Sequence, residues 1–129
     1  MQRIAYFVSG TVLGAFLAVA ALNAAQTAVR DAVEISPDYY KVVLDNDRVR
    51  VLEYHLKPGQ TERMHSHRPG VAYVVNGAKI RTISPSGESQ VGVLQTGAVH
   101  WRENGVTHAV ENVGDTEEHA IIMEIKDRK

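Results

Sequence analysis

From Glu34 onward the chain consists of short runs rich in β-branched and aromatic residues, and each run is closed by turn residues. No long segment repeats apolar residues at the helical spacing of i, i+3, i+4 and i+7. The pattern predicts strands at residues 39–44, 48–56, 71–76, 79–83, 90–94, 106–112 and 120–125. Many short strands with no helices between them indicate an all-β sandwich or barrel.

The first thirty residues have a different character. Arg3 is followed by no charged residue until Arg30, and residues 4–22 are mainly apolar. Small residues at positions 20–25 complete the pattern of a secretory signal peptide, although the length also suits a membrane anchor. A buried helix of the domain is the remaining alternative. We therefore divide the chain into a signal peptide or anchor (1–25), a linker (26–38) and one β domain (39–129).

This division predicts where the domain works. With Arg3 held on the inner side, both a signal peptide and an anchor place the domain outside the cytoplasmic membrane. The expected location is periplasmic or secreted if the segment is cleaved, and membrane-anchored if it is not. A membrane is a partner only in the second case.

Composition excludes several classes of function. The net charge is −1, no run of Lys or Arg occurs, and aromatic residues make up 6% of the chain, so nucleic acid is not expected as a partner. The chain has no cysteine, which excludes disulfides, thiolate zinc sites and a cysteine nucleophile. Stability must then come from an ordinary core, aided by a metal ion or a partner subunit, and we expect a homodimer.

Three histidines are candidates for a metal site. His65 and His67 are two residues apart, so on a strand both imidazoles would point to one face while Ser66 points to the other. Such a pair alone could be two solvated side chains. His108 lies on a later predicted strand, just after a glycine turn, and a third ligand from a distant strand would close a metal site.

The spacing of glycines and histidines resembles the two motifs of the cupin family. The first motif matches at Gly59, His65, His67 and Gly77, and the second at Gly97, Gly105, His108 and Asn112, with Glu103 where proline is usual. The resemblance spans residues 39–124. It implies a double-stranded β-helix, also called a jelly-roll barrel, with the three histidines as metal ligands. Gly59, Gly97 and Gly105 would form turns, and Asn112 would be structural.

One family ligand is missing. The glutamate expected three or four residues after His67 is replaced by Gly70 and Val71. We therefore expect Gly70→Glu or Val71→Glu to restore an acidic ligand. Glu53 and His55 share one face of a predicted strand, and they would either point inward, to support or replace a ligand, or form an outward polar pair. Glu103, at the predicted barrel mouth, is a further candidate for an acid–base role.

A site of three neutral imidazoles leaves the double charge of its ion unneutralised, which favours a small anionic ligand. Fe(II) is the expected ion, with Ni, Cu, Co, Mn and Zn as alternatives. The leading interpretation is a dioxygenase-like enzyme acting on a small anionic molecule that chelates through oxygen. The alternatives are a non-catalytic cupin that binds a small carboxylate or a metal, and a metal-free barrel that acts through its oligomer interface. The segments "DRVRVLEY" and "THAVENVGD" are also similar to cupins labelled β-alanine degradation proteins.

Overall fold

A computed structural model describes residues 30–127 of the chain. The predicted signal peptide or anchor, residues 1–25, lies outside the described residues, as does the start of the predicted linker. Within the described part, no helix is long and apolar enough to cross a membrane.

Residues 30–127 form one short helix and nine strands in two sheets. The elements in chain order are α1 (Ala32–Ile35), β1 (Tyr40–Asp45), β2 (Val49–Leu56), β3 (Thr61–His67), β4 (Gly70–Asn76), β5 (Lys79–Ile83), β6 (Ser89–Val93), β7 (Val99–Arg102), β8 (Val106–Asn112) and β9 (Glu118–Ile125). One sheet has the order β1-β2-β9-β4-β7, and the other has the order β3-β8-β5-β6. The predicted all-β architecture is confirmed.

The core lies between the two sheets. Strands β2 and β9 pair along their whole length and alternate buried with more exposed residues, as expected for a sheet with one face in the core. Leu52, Tyr54 and Ile122 from the five-stranded sheet pack in the same buried cluster as Val110 of the four-stranded sheet. Ala32 of α1 joins this cluster, so part of the predicted linker packs against the barrel.

All seven predicted strands are present with ends shifted by at most two residues, and two further strands were not predicted. Strand β3 carries the histidine pair, and β7 follows the turn at Gly97. Both have mixed polar composition, with "TERMHSH" in β3 and "VHWR" in β7, so neither shows a clear apolar alternation. Their pairing with β8 and β4 holds them in the sheets despite this weak local signal.

The motif residues other than histidine form turns and ties. Gly59, Gly97 and Gly105 all have positive φ angles, of 78°, 84° and 72°. A Cβ on Gly105 would lie 2.4 Å from the carbonyl oxygen of His67, so a side chain there would push the β7–β8 turn away from β3. The buried Asn112 side chain donates to the carbonyls of Leu56 and Thr116, both at 2.8 Å. These contacts are consistent with the structural roles that the resemblance implies.

Candidate metal centre

The structure brings His65, His67 and His108 together inside the barrel. His65 and His108 are directly opposite each other on β3 and β8, and His67 is two residues further along β3 on the same face. One ligand nitrogen from each of the three lies within 4.8 Å of the others. The three side chains could therefore hold a metal ion, as the sequence predicts.

Hydrogen bonds to the Nδ1 atoms assign the tautomers of the histidine pair. His65 Nδ1 lies 2.8 Å from the Arg63 carbonyl oxygen, and His67 Nδ1 lies 2.9 Å from Glu124 Oε1. Both neighbours are acceptors, so each Nδ1 carries the proton and each Nε2 keeps its lone pair free. A histidine that binds a metal through Nε2 typically donates a hydrogen bond from Nδ1–H to a carboxylate or a backbone carbonyl.

The separation of the two free nitrogens suits a shared ion. His65 Nε2 and His67 Nε2 are 3.0 Å apart. Two nitrogens bound at right angles to one ion at about 2.1 Å would be about 3 Å apart. Without an ion, two lone pairs at this distance repel each other, because neither nitrogen carries a proton. The donor set therefore fits a divalent transition metal with several open coordination positions.

Burial keeps the three imidazoles neutral. It lowers the pKa of His65 to about 4 and that of His108 to about 3, and it also lowers the pKa of His67. Neutral imidazole is the form that binds metals, so protons compete weakly for this site near neutral pH.

The Tyr40 hydroxyl lies beside the two nitrogens, 3.4 Å from His65 Nε2 and 3.3 Å from His67 Nε2. Burial and the nearby Glu62 raise the pKa of Tyr40 well above its usual value, so the phenol stays protonated. Tyr40 is thus a hydrogen-bond donor at the site. Tyr40 lies within the first predicted strand, residues 39–44, and no role was predicted for it.

A chain of charges supports His67 from the opposite sheet. Glu124 is fully buried, and while Oε1 contacts His67, Oε2 accepts from Arg50 Nε at 2.9 Å and from Arg50 Nη2 at 2.6 Å. Arg50 Nη2 also reaches Asp31 Oδ2 at 2.6 Å. Arg50 and His67 hold the pKa of Glu124 below its usual value despite its burial, so this carboxylate is ionised.

A second buried carboxyl group lies behind His65. Glu62 Oε2 accepts from the Tyr54 hydroxyl at 3.0 Å, and Glu62 Oε1 is 3.2 Å from His65 Nδ1. Burial raises the pKa of Glu62 to about 7, so this group can carry or release a proton near neutral pH.

Arg102 is a further charged group of the interior. Its Nε and Nη2 atoms are inaccessible to solvent and have no hydrogen-bond partner among residues 30–127. Its positive charge contributes to lowering the pKa of His65, His67 and His108, so its field reaches the centre.

Glu53 and His55 are placed on the outer side of β2. Glu53 Oε1 lies 3.1 Å from His119 Nε2, and His55 Nδ1 lies 3.0 Å from Glu117 Oε1, with the His55 and His119 rings stacked at 4.1 Å. Of the two arrangements predicted for this pair, the outward one is present. The residues that contact His65 and His67 from behind are Glu62 and Glu124 instead.

Glu53, His55 and His119 form an outer group on the surface of β2 and β9. Glu53, His55 and His119 also have ligand atoms within 4.8 Å of one another, so this surface group could take up added metal in an experiment. Glu103, the other predicted candidate, is exposed and accepts a hydrogen bond from Trp101 Nε1. Its carboxylate is thus engaged at the surface.

The missing acidic ligand cannot be restored at the two expected positions. A Cβ on Gly70 would lie 1.9 Å from the Met123 carbonyl oxygen. Val71 pairs with Trp101 and Met123, which are exposed on the outer face, so its side chain points away from the histidines. The expectation that Gly70→Glu or Val71→Glu would supply a ligand is therefore wrong.

The supporting charges could have been found from alternation. Arg50 shares a strand face with Leu52 and Tyr54, and Glu124 shares one with Ala120 and Ile122. A charged residue in line with buried apolar positions is costly unless it is paired, so such a position is a signal of a paired or functional group. Arg102 and Tyr40 lie at strand ends, where alternation gives no comparable signal.

Comparisons with solved structures agree with the fold. A cupin domain protein from Bordetella pertussis Tohama I is 29% identical, has a TM-score of 0.62, and is matched over 78% of this chain and 99% of its own. An RmlC-like cupin from Methanocaldococcus jannaschii, described as having a double-stranded β-helix fold, is 8% identical with a TM-score of 0.55, over 67% of this chain and 77% of its own.

The polyketide cyclase RemF from Streptomyces resistomycificus is 15% identical with a TM-score of 0.54, over 68% of this chain and 64% of its own. These last two likenesses concern the fold alone. No protein-family model and no curated protein matches the chain. The two-sheet barrel and the similarity to the Bordetella protein lead to one conclusion: this chain has the fold of the cupin family.

Proposed function

We propose that this cupin is a metal-dependent, dioxygenase-like enzyme that acts on a small anionic molecule chelating through oxygen. The observation that carries the proposal is the convergence of three buried imidazoles, two of which have Nδ1 hydrogen bonds that leave Nε2 free. Fe(II) is the ion we favour, and when bound it would supply Lewis acidity and one-electron chemistry. Both atoms of dioxygen would enter the product, so no external reductant is required.

The residues of the chain have distinct parts in this proposal. His65, His67 and His108 would hold the ion, while Glu124 and the Arg63 carbonyl fix the orientation of two of the rings. The Tyr40 phenol can donate a hydrogen bond to an oxygen of the substrate. Glu62, with its pKa raised to about 7, could take up or release a proton through its contact with Tyr54.

The experiment has two stages. Elemental analysis of protein purified without added metal should find one transition-metal ion per chain in the wild type and none in His108→Gln. His119→Gln is the matched control, because it removes a histidine from the outer group and leaves the centre intact. Equal metal contents in wild type and His108→Gln would refute the proposed site.

Oxygen uptake by the metal-loaded protein is then measured with diketones, flavonols and thiol acids. Uptake that is lost in His108→Gln and kept in His119→Gln supports the enzyme. Tight binding of small carboxylates with no uptake for any substrate would favour the alternative, a non-catalytic cupin. The local likeness to cupins labelled β-alanine degradation proteins stays a prediction, and it adds β-alanine and related amino acids to the panel.

We also propose a homodimer formed through the outer face of the five-stranded sheet. Five large apolar side chains on β4, β7 and β9 are exposed on this face: Tyr73, Val99, Trp101, Met123 and Ile125. A contiguous exposed patch of this kind is typical of an interaction surface, and a second copy would cover it symmetrically. Light scattering should show a dimer for the wild type and a monomer for Val99→Lys with unchanged metal content. A monomeric wild type would contradict the proposal.

The proposed location is outside the cytoplasmic membrane. It is supported by the uncharged apolar run between Arg3 and Arg30. Intact mass of protein recovered from the periplasm should show a chain that starts between Ala21 and Asp31. A membrane-bound product that still begins at Met1 would support the anchor instead.

A further inference from the structure

Four residues form one row across the five-stranded sheet. Arg50 of β2 pairs with Glu124 of β9, Glu124 pairs with Gly70 of β4, and Gly70 pairs with Arg102 of β7. Residues directly opposite each other on antiparallel strands point to the same face of the sheet. Glu124 points inward and contacts His67, so the whole row faces the histidines.

The row is interrupted by the absence of a side chain at Gly70. Its φ angle of 154° and the 1.9 Å approach of the Met123 carbonyl to a Cβ at this position exclude any other residue. Glu124 and Arg102 are therefore two strand spacings apart, about 10 Å, with only backbone between them. Gly70 is also one of the two positions where the family motif would bring its glutamate. Because Gly70 has no side chain, β4 places no side chain between Glu124 and Arg102 on the face toward the histidines.

Arg102 lies next to Gly70 in this row, and two of its three guanidinium nitrogens have no hydrogen-bond partner among the described residues. Nε and Nη2 are both buried and have no partner among the described residues. Glu124, the neighbouring carboxylate in the row, is already bonded to Arg50 and His67. A buried guanidinium without a partner is unfavourable, and arginine presents Nε–H and Nη2–H as a parallel fork that matches the two oxygens of a carboxylate.

We propose that Arg102 binds the carboxylate of the substrate, which places the substrate among small 2-oxo or 2-hydroxy acids. The carboxylate would supply from outside the negative charge that the missing glutamate does not provide, and the adjacent oxygen would be the second donor for the ion. This inference rests on the proposed function for the ion, but the arginine–carboxylate contact itself does not require a metal.

The first test measures stability without metal. An unpartnered buried arginine destabilises the ligand-free fold, so Arg102→Met should raise the melting temperature of the metal-free protein. Pyruvate should raise the melting temperature of the wild type and leave that of Arg102→Met unchanged. If Arg102 were purely structural, Arg102→Met would lower the melting temperature, and the proposal would be wrong.

The second test measures binding to protein loaded with Co(II), whose absorption spectrum reports on its ligands. Pyruvate should bind Arg102→Gln about 10- to 100-fold more weakly than the wild type, as expected for loss of charge-assisted hydrogen bonds. Arg102→Lys, which keeps the charge and loses the fork, should be intermediate. Pyruvamide should bind all three proteins alike, and inorganic phosphate should bind the wild type more weakly than pyruvate. Arg81→Gln, which removes a surface arginine paired with Glu111, is the control and should behave as the wild type.

The experiments distinguish failure of the proposed metal centre from failure of the proposed carboxylate site at Arg102. If the wild type binds no metal, the proposed function falls, while a shift of the Arg102 Nε–H resonance on adding pyruvate to metal-free protein would still support the carboxylate site. If Arg102→Gln keeps its metal and binds pyruvate as tightly as the wild type, the carboxylate site is refuted and the metal centre stands.

Discussion

His67 and Glu124 join the two sheets through a contact of 2.9 Å between Nδ1 and Oε1. His67 lies on β3 of the four-stranded sheet, and Glu124 lies on β9 of the five-stranded sheet. The contact sets the tautomer and orientation of the histidine, and Arg50 in turn holds the carboxylate. The geometry of the centre thus depends on how the two sheets pack.

Glu124→Gln should weaken metal binding about 10- to 100-fold, because the amide keeps an acceptor for His67 but loses the charge that orients and polarises the ring. It should also reduce the free energy of unfolding by roughly 1–3 kcal/mol, since Arg50 loses a buried ionic partner and keeps Asp31. Competition with a chelator and chemical denaturation measure the two effects.

Glu111→Gln is the matched control, since it removes a carboxylate that pairs with Arg81 on a more exposed part of the barrel. It should change metal affinity little and cost at most about 1 kcal/mol. If Glu124→Gln binds metal as well as Glu111→Gln does, the ring of His67 is oriented by something other than Glu124.

The pH dependence of metal binding should differ from that of exposed histidines. Unperturbed imidazoles titrate near about 6.5, so the sequence predicts that affinity falls steeply below about pH 6. The structure moves this fall to lower pH, because burial lowers the pKa of His65 to about 4 and of His108 to about 3. We expect bound metal to be retained to about pH 5 and lost below it.

Retention of metal near pH 5 therefore does not by itself indicate a carboxylate ligand. A titration of bound metal against pH in the wild type and in Glu62→Gln separates the contributions. The pKa of Glu62 is raised to about 7, so its ionisation should make metal affinity rise slightly with pH near neutrality. This rise should be absent in Glu62→Gln. Loss of metal already at pH 6.5 in both proteins would show that the histidines are more hydrated than the structure indicates.

The sequence predicts the barrel and the ligands well because both have a local signal. Alternation marks the strands of the five-stranded sheet that carry the core, and the i, i+2 spacing places His65 and His67 on one face. Alternation would also place Glu62 on the opposite face from His65. The pairing of β3 with β8 is irregular between Glu62 and His65, and this bulge turns both inward. A bulge is set by the partner strand, so the role of Glu62 could not be predicted.

Strand β2 shows the converse case. Its apolar residues change face between Val51 and Leu52, and the sequence alone offers no reason. In the structure, Arg50 occupies the inward position before Leu52, because Glu124 and Asp31 are available to pair with it. These partners come from residues 74 and 19 positions away in the chain. Alternation identifies β2 as a strand, but the inward direction of Arg50 depends on partners that are distant in the chain and could not be predicted locally.

Glu118 should make stability depend on pH. Burial raises its pKa from 4.5 to about 7, so the folded protein keeps the proton that the unfolded chain releases above about pH 4.5. The contribution is fully present below the unfolded pKa and is lost as pH rises through about 7. Relative to Glu118→Gln, the wild type should therefore lose roughly 3 kcal/mol between pH 4.5 and pH 8.

Chemical denaturation of the metal-free wild type and metal-free Glu118→Gln at several pH values measures the difference in their free energies of unfolding. The contributions of the histidines cancel in this difference because both proteins contain them. Glu88→Gln, an exposed site with the same change in charge, should show no such trend. A difference between the wild type and Glu118→Gln that stays constant with pH would mean that Glu118 is ionised and solvated in the folded protein.

Gly70 should be intolerant of any side chain. Its backbone has a φ angle of 154°, and a Cβ would lie 1.9 Å from the Met123 carbonyl, so β4 and β9 would have to separate. Gly70→Ala is expected to cost about 3 kcal/mol or more in the free energy of unfolding. Gly92→Ala is the matched control: a Cβ there meets nothing within 4 Å, and the change should be less than about 1 kcal/mol.

Val71→Glu tests the same geometry from the neighbouring position. Because Val71 pairs with exposed Trp101 and Met123, a glutamate there would point to the outer face and leave the pH profile of metal binding unchanged. Chemical denaturation measures the cost of Gly70→Ala, and metal titration compares Val71→Glu with the wild type. Two outcomes would contradict this geometry: Gly70→Ala as stable as Gly92→Ala, or Val71→Glu that retains metal to lower pH than the wild type. Either would show that β4 can shift enough to bring an acidic side chain to the ion. A carboxylate from the substrate would then not be needed to supply the missing negative charge.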